Sequence, residues 1–577
     1  MQTVIWYLAA LALTSVLLTI GLAMAVLVHR DRMSPAEDFM VALAGGIAVT
    51  ALAAVAQLPL PFAFTAVSPL LMGILLIGST AIVWRRRSRL RQLAADPQVR
   101  LMAAGVGMLF AIGLTVAVLP WDKVSTGGSG AIWSFHVPNM PGDTVLQYRT
   151  AQILQNRLPI QTTEFYVNYW YISDRTPLVA LMTTFVTSSA GIKLPQSLDP
   201  LSAPFRLVDP YGYWLYRQIS MLTNAMAVAS AALVAWELLG ARAARLGVVF
   251  ILLSPFVLIG ILFHWPKLLA GFFVAGFYFW SYLRRRPALA GTFAAGAVLS
   301  HPVGALFLPG MFIYLLLAKH WRQLVISGSV AAFVLAPWVA WTSLFYHHAS
   351  RMLTYPIGFA LSDPTNPAPE IKAGLLAFIH RPISSILGDR LVTTVDTFTT
   401  WPFPIRLVGA RSLRQLITPV YEVLRTTFPG IFGAGLAIFG YLSFKRIATN
   451  AFWATTLGAS SICVLLFWGI SPRAITEAGF QPGAGLWICL AAGILARMPA
   501  LVIRTAVVVN LIEWFVFVFV LVYHTPSLDA WRLTEAWAVG SSLALLAAIG
   551  TFGWHLATSA PGGGPPTPGA QSRVLSM

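Results

Sequence analysis

The stretch "PGDTVLQYRTAQILQNRLPI", residues 141–160, sets an acid, a tyrosine and two arginines into a chain of which only 10 % of residues are charged. A carboxylate such as Asp143 can take a proton from a hydroxyl, and a guanidinium such as that of Arg149 can bind an anion or stabilise one as it forms. If the chain is helical from Thr144 onward, Asp143 stands at the cap, where aspartate is favoured, and Tyr148, Ala151 and Gln152 follow at turn spacing. Capping is also the alternative reading, in which Asp143 does no chemistry. Further on, "DRTPL", residues 174–178, places Asp174 beside Arg175 and stops at Thr176-Pro177 before an apolar stretch. The plainer account of that element is a helix with proline near its first turn and a surface ion pair.

Two later stretches add basic groups between apolar runs. "HWPKLL", residues 264–269, carries His264, Trp265 and Lys267. Trp265 reads as well as an interface anchor. A lysine flanked by apolar spans is costly to keep, which makes Lys267 a candidate partner for a phosphate, with His264 beside it. "LSHPVGALFLP" contains His301, a candidate substrate contact that could equally satisfy a helix broken near Pro302. His347 and His348 suggest a metal, but neighbouring residues of a helix point about a hundred degrees apart and no acid nearby completes a site. Glu513 is an acid well inside an apolar run, where such residues are often functional or pair within a bundle.

The elements that position these groups must be membrane helices. Of 577 residues, 57 % are hydrophobic, and the mean hydropathy is +0.74, far above what a solvated surface permits. The net charge of +18 comes from short basic clusters between apolar runs, so it argues for topology signals and against nucleic acid. Cys463 and Cys489 both sit in apolar segments, which suits packing and implies no disulfide framework. Runs of spanning length fall near 3–29, 39–60, 64–84, 101–120, 213–240, 246–263, 267–283, 288–300, 304–318, 322–346, 430–444, 451–470, 484–501, 503–523 and 535–557. An all-α polytopic membrane protein with about 13–15 transmembrane segments is expected.

Basic residues follow the odd-numbered runs: Arg30 and Arg32, "RRRSRLR", Arg242 and Arg245, "RRR" at 284–286, "KHWR", Lys445-Arg446 and Arg497. Lysine and arginine near span ends are retained on the cytoplasmic side, so the amino terminus lies outside and the carboxyl terminus inside. Two long connections then lie outside, and amphipathic pieces such as "LVALMTTFVTSSAG" and "IKAGLLAFIH" predict interfacial helices within them. The organisation expected is three leading helices over 1–100, a transmembrane module over 101–346 with its first outer loop at 121–212, a second outer loop over 347–429 as the acceptor region, helices over 430–558, and a disordered cytoplasmic tail over 559–577.

An acid opening the first large outer loop, followed by a basic-X-Pro-Leu element that leads into an interfacial helix, resembles the GT-C superfamily of polyprenyl-phosphate-sugar-dependent glycosyltransferases, which includes protein mannosyltransferases and the lipid A aminoarabinose transferase. The resemblance covers roughly residues 101–345. It implies a GT-C-like helical bundle in a bacterial inner membrane, with the active site outside. It also implies a sugar transferred from a polyprenyl phosphate to a lipid, glycan or protein acceptor. Asp143 matches the family's catalytic acid. Arg175-Thr176-Pro177-Leu178 stands where some members have Lys-Pro-Pro-Leu, a departure that bears on the role of Arg175.

With one carboxylate base, direct displacement at the anomeric carbon predicts inversion, because retention requires a carboxylate nucleophile. Lys267, Arg175, Arg149 and His264 are then the candidate contacts to the donor phosphate, and Asp174, Tyr148 and His301 the candidate acceptor or substrate contacts. No cofactor is expected; two acids in one loop would suit a divalent metal, but no ligand cluster has recognisable spacing. A ligase or polymerase with a diphosphate-linked donor would share fold and side. A transporter would need midplane polarity or a repeat, and the sequence offers little of either beyond Glu513. A scaffold without activity would leave the Asp143 and Asp174 loop unexplained.

Overall fold

The structure is a computed structural model that describes residues 2–28, 33–118, 146–158, 176–196, 210–262, 264–342, 367–388, 458–468 and 479–515, with isolated positions between 544 and 551. Asp143, Asp174, Arg175, the His347-His348 pair, most of the second outer loop and the tail lie outside the described residues. Among the described residues every regular element is helical. Six of their helices are long and apolar enough to span a bilayer, and a seventh span results if one bent pair is counted.

The leading helices are α1 (Gln2–Val28), α2 (Pro35–Gln57) and α3 (Phe64–Arg85), followed by a short basic α4 (Arg87–Ala95) and by α5 (Pro97–Val118). Two of these starts, those of α2 and α5, have a local cause. Ser34 Oγ accepts the Glu37 backbone N–H at 3.3 Å, and Asp96 Oδ1 accepts those of Gln98 and Val99 at 2.9 and 3.0 Å; a proline follows each cap. Small residues let α1 and α2 meet backbone to backbone. A Cβ on Gly21 would stand 1.9 Å from the Ala42 carbonyl oxygen, and one on Gly46 2.5 Å from that of Leu17.

Next come α6 (Leu146–Asn156) and α7 (Leu178–Ser189) from the first outer loop, then α8 (Pro210–Ala225) and α9 (Ala227–Leu239), which run on as one span. The amphipathic piece expected at α7 is a helix covered on nearly every side, packed against α2, α3 and α6. The other piece, α16 (Pro367–Ile379), is largely exposed. Between them lie α10 (Ala241–Leu252), α11 (Pro255–Leu262), α12 (Lys267–Tyr278), α13 (Pro287–Ser300), α14 (Pro309–Leu317) and α15 (Trp321–Trp341). The pair α10 and α11 bends by 60° at a break before Pro255, whose ring excludes a continuous helix. Near the end of the chain are α17 (Ala459–Trp468), α18 (Ala484–Leu495) and α19 (Ala500–Phe515). Cys489 packs in α18 with its Sγ 2.7 Å from where a Gly247 Cβ would be, which accounts for a small residue on α10.

The connections that follow the third and seventh runs meet the start of α2 at one face. Arg284, after α12, pairs with Glu37 and, at 3.2 Å, with Glu237; Arg286 lies 3.8 Å from Glu37, and Arg89 pairs with Asp38 at 2.6 Å. Gln98 Nε2 donates to Glu237 at 3.2 Å. The network thus ties α2, α4, α5, α9 and the end of α12 together. The Arg157 guanidinium, by contrast, donates to the carbonyls of Gln57, Leu60 and Phe62, fastening the end of α6 to the turn between α2 and α3 at the opposite face. Glu37 is almost fully buried under its arginines. Glu37→Ala is therefore expected to lower stability by about 1–3 kcal/mol, since it takes the buried carboxylate from two half-buried guanidiniums. Glu237→Ala, at a more open carboxylate, should cost less. Thermal midpoints in one detergent compare the two, and equal midpoints for wild type and Glu37→Ala would refute the expectation.

Candidate functional site

The sequence of α8, "PYGYWLYRQISMLTNA", interrupts an apolar span with Arg217, Ser220 and Asn224. Their spacing places them on one helix face. That face meets the connection between α11 and α12. Ser220 Oγ donates to the His264 carbonyl at 2.9 Å, and Asn224 Nδ2 donates to the carbonyls of Trp265 at 2.9 Å and Gly260 at 3.3 Å. Asn224 Oδ1 accepts the Leu269 backbone N–H at 2.9 Å. Backbone groups at a helix break have no intrahelical partner, and inside a bundle they need one; this polar stripe supplies it.

The connection holds His264 at φ +60°, a left-handed conformation that costs a non-glycine residue about 1–2 kcal/mol. In that geometry the imidazole faces α8. Arg217 Nε donates to His264 Nε2 at 3.3 Å, and the Tyr216 ring lies 5.9 Å away. Burial, reinforced by the Arg217 charge, holds the His264 imidazole well below its ordinary range, so the ring is neutral and Nε2 can accept. Arg217 is 4 % exposed, and its Cζ lies 5.8 Å from the Trp6 ring centre. The neighbouring Gln218 donates to the Trp6 carbonyl at 2.8 Å, so α1 is part of the site's wall.

Lys267 opens α12, is 2 % exposed and sets Nζ 3.4 Å from the centre of the Trp265 ring, a cation–π contact. Tyr148 of α6 stands edge-on to Tyr213 at 5.3 Å and tilted against Tyr216 at 5.8 Å. Arg217 and a neutral imidazole therefore lie beside the tyrosines of α8, with Tyr148 packed on both of those rings and Lys267 buried at the end of the same connection. Desolvating an isolated cation costs several kcal/mol, and buried ones in membrane helices face partners or a polar path rather than lipid.

Of the residues expected from sequence, Tyr148, His264 and Lys267 are brought to this locus. Arg149 donates to Gln152 at 2.9 Å on its own helix. His301 accepts the Val303 N–H on Nδ1 at 3.2 Å and caps the 3₁₀ turn Pro302–Phe307, as the broken-helix alternative for it expects. Glu513 is buried in α19. The two motif stretches meet where the described residues resume: Gln147 Nε2 donates to the Thr176 carbonyl at 2.9 Å, joining the helix that follows Asp143 to the residue that follows Arg175. Trp265, read from sequence as well as an anchor, is the partner of Lys267.

Arg217 was missed by sequence reasoning. It lies in the second turn of an apolar run, and the signal that could have found it is the stripe it forms with Ser220 and Asn224.

No protein-family model matches the chain, and no curated protein matches it. Among solved structures, ArnT from Cupriavidus metallidurans in the apo state is similar over 79 % of this chain and 75 % of that one, at 14 % identity and a TM-score of 0.41. ArnT from Cupriavidus metallidurans bound to undecaprenyl phosphate is similar over 77 % and 69 %, at 14 % identity and a TM-score of 0.39. The Archaeoglobus fulgidus oligosaccharyltransferase in complex with Zn and sulfate is similar over 80 % of this chain and 54 % of that one, at 15 % identity and a TM-score of 0.35. Among the described residues no group of three or more His, Cys, Asp or Glu side chains could hold a metal ion.

Proposed function

We propose that this protein is an integral membrane glycosyltransferase that moves a sugar from a polyprenyl phosphate to an acceptor hydroxyl at the membrane boundary. The observation that carries the reading is the burial of Arg217, hydrogen-bonded to His264, with Lys267 buried at the end of the same connection and Tyr148, of the helix that follows Asp143, packed on Tyr213 and Tyr216. A lipid phosphate keeps its tail in the bilayer and its headgroup at the boundary. A cation at the start of α12 and a second on α8 suit the phosphodiester anion of the donor and the charge it gains on leaving.

In the reaction, Asp143 takes the acceptor's hydroxyl proton as the oxygen attacks the anomeric carbon. The new carbon–oxygen bond forms as the bond from that carbon to the phosphate oxygen breaks, releasing polyprenyl phosphate, with inversion. Charge grows on the leaving phosphate, and Arg217 and Lys267, with Arg175 and Arg149 as further candidates, stabilise it. Three peptide units separate Asp143 from Leu146, a covalent reach of roughly 11 Å, and Tyr148 lies within the first turn of α6. Asp174, Tyr148 and His301 remain the candidate acceptor contacts. The basic clusters at the ion-pair face support a reading in which that face is cytoplasmic and the tyrosine site lies outside, in a bacterial plasma membrane.

The test is a binding panel. Purified protein in nanodiscs is titrated with polyprenyl-phosphate sugars that differ in the sugar, with polyprenyl diphosphate-linked sugars and with a phosphate-free polyprenol. Saturable binding of one monophosphate donor, and its transfer to an added acceptor, is expected. Preference for a diphosphate donor would replace this reading with a ligase, and transport of solute without transfer would replace it with a transporter.

A further inference from the structure

The contact between Arg217 and His264 has a geometry that a general anion site does not require. A guanidinium is planar, with one N–H on Nε and four on the two terminal nitrogens. Fixing the direction of Nε–H fixes the in-plane orientation of the whole fork. His264 does this through a 3.3 Å bond to Nε, and the Trp6 ring limits tilt out of the plane at 5.8 Å. The His264 ring reaches that place because its backbone is left-handed, at φ +60°, with its carbonyl anchored by Ser220 of the same α8 face at 2.9 Å. A side chain and a backbone strain are thus spent on orienting one cation, which an anion bound by charge alone would not need.

We propose that His264 is a positioning residue, which orients the Arg217 guanidinium so that its terminal nitrogens meet the phosphate of the lipid donor in one geometry. The inference rests on the donor-phosphate reading above and adds to it that the histidine acts through Arg217 and not by its own contact. Arg217 and Tyr216 of α8 face the imidazole, with Tyr148 of α6 beyond Tyr216. Beside the Arg217 guanidinium an imidazolium would be repelled, and only the neutral ring can accept from Arg217.

The experiment uses full-length protein in nanodiscs with a polyprenyl monophosphate lipid as the probe. His264→Gly removes the ring at a backbone conformation that glycine adopts without strain, so the connection keeps its shape. His264→Asn, tolerated at the same φ, returns a shorter acceptor. Expected are an approximately tenfold loss of affinity in His264→Gly, a smaller loss in His264→Asn, and no further loss when His264→Gly is added to Arg217→Ala. Added imidazole should restore affinity to His264→Gly, more at pH 8 than at pH 6, because the base alone accepts. A structural filler would not discriminate between the two charge states.

Unchanged affinity in His264→Gly while Arg217→Ala weakens binding would overturn the positioning role and leave the donor reading standing. Additive losses in the double variant would overturn it in favour of direct contact. If neither Arg217→Ala nor Lys267→Ala weakens binding, the donor reading itself falls.

Discussion

Arg217→Ala is expected to weaken binding of the polyprenyl-phosphate donor about a hundredfold, with the bundle still folded. A hundredfold is about 2.7 kcal/mol, the scale of one or two charge-assisted hydrogen bonds to a phosphate in a site closed to water. The variant takes from His264 Nε2 its Arg217 donor and from the Trp6 ring its guanidinium neighbour. Arg217→Lys keeps the charge but not the fork or the Nε–H, so it should fall between wild type and alanine. The same titration distinguishes the three, alongside thermal midpoints to confirm folding. Wild-type affinity in Arg217→Ala would remove it from the donor site.

Asp143→Asn is expected to remove transfer almost completely while donor affinity stays near wild type. Asparagine has the shape of aspartate and can still cap a helix, but its amide cannot take a proton. Loss of a general base costs about 10²–10⁴ in rate. Single-turnover transfer measured in nanodiscs loaded with donor separates chemistry from binding and product release. A wild-type rate in Asp143→Asn would leave Asp143 as a cap and nothing more. Loss of binding and rate together would make it a donor contact in place of a base.

Much of the architecture was legible because it follows from local chemistry. Apolar runs of spanning length mark helices, and the caps at Ser34 and Asp96 with their following prolines mark where two of them begin. The basic clusters that hold Arg89, Arg284 and Arg286 follow apolar runs and anticipate that these connections share a face, and ion pairs join them there to the start of α2. Lys267 and His264 stood out for a similar reason, as polar groups at a break between spans. Arg217 did not, since one arginine near the start of a span also reads as an anchor. Only with α11 and α12 folded against α8 does its helix face acquire partners. Likewise the apolar text of α7 predicts an interfacial helix, and its burial under α2 and α3 depends on helices more than a hundred residues away in sequence.

The chain by itself determined that it is a polytopic helical membrane protein with its polar groups concentrated in the connections between apolar runs, because hydropathy, caps and basic flanks act over a few residues. Tertiary structure alone decided which of those groups meet. It joined Arg217 to His264, set Lys267 over Trp265, and fastened the helix after Asp143 to the residue after Arg175. Such meetings depend on helix packing and on one bend before Pro255, and no spacing along the chain encodes the distance between residues on different helices.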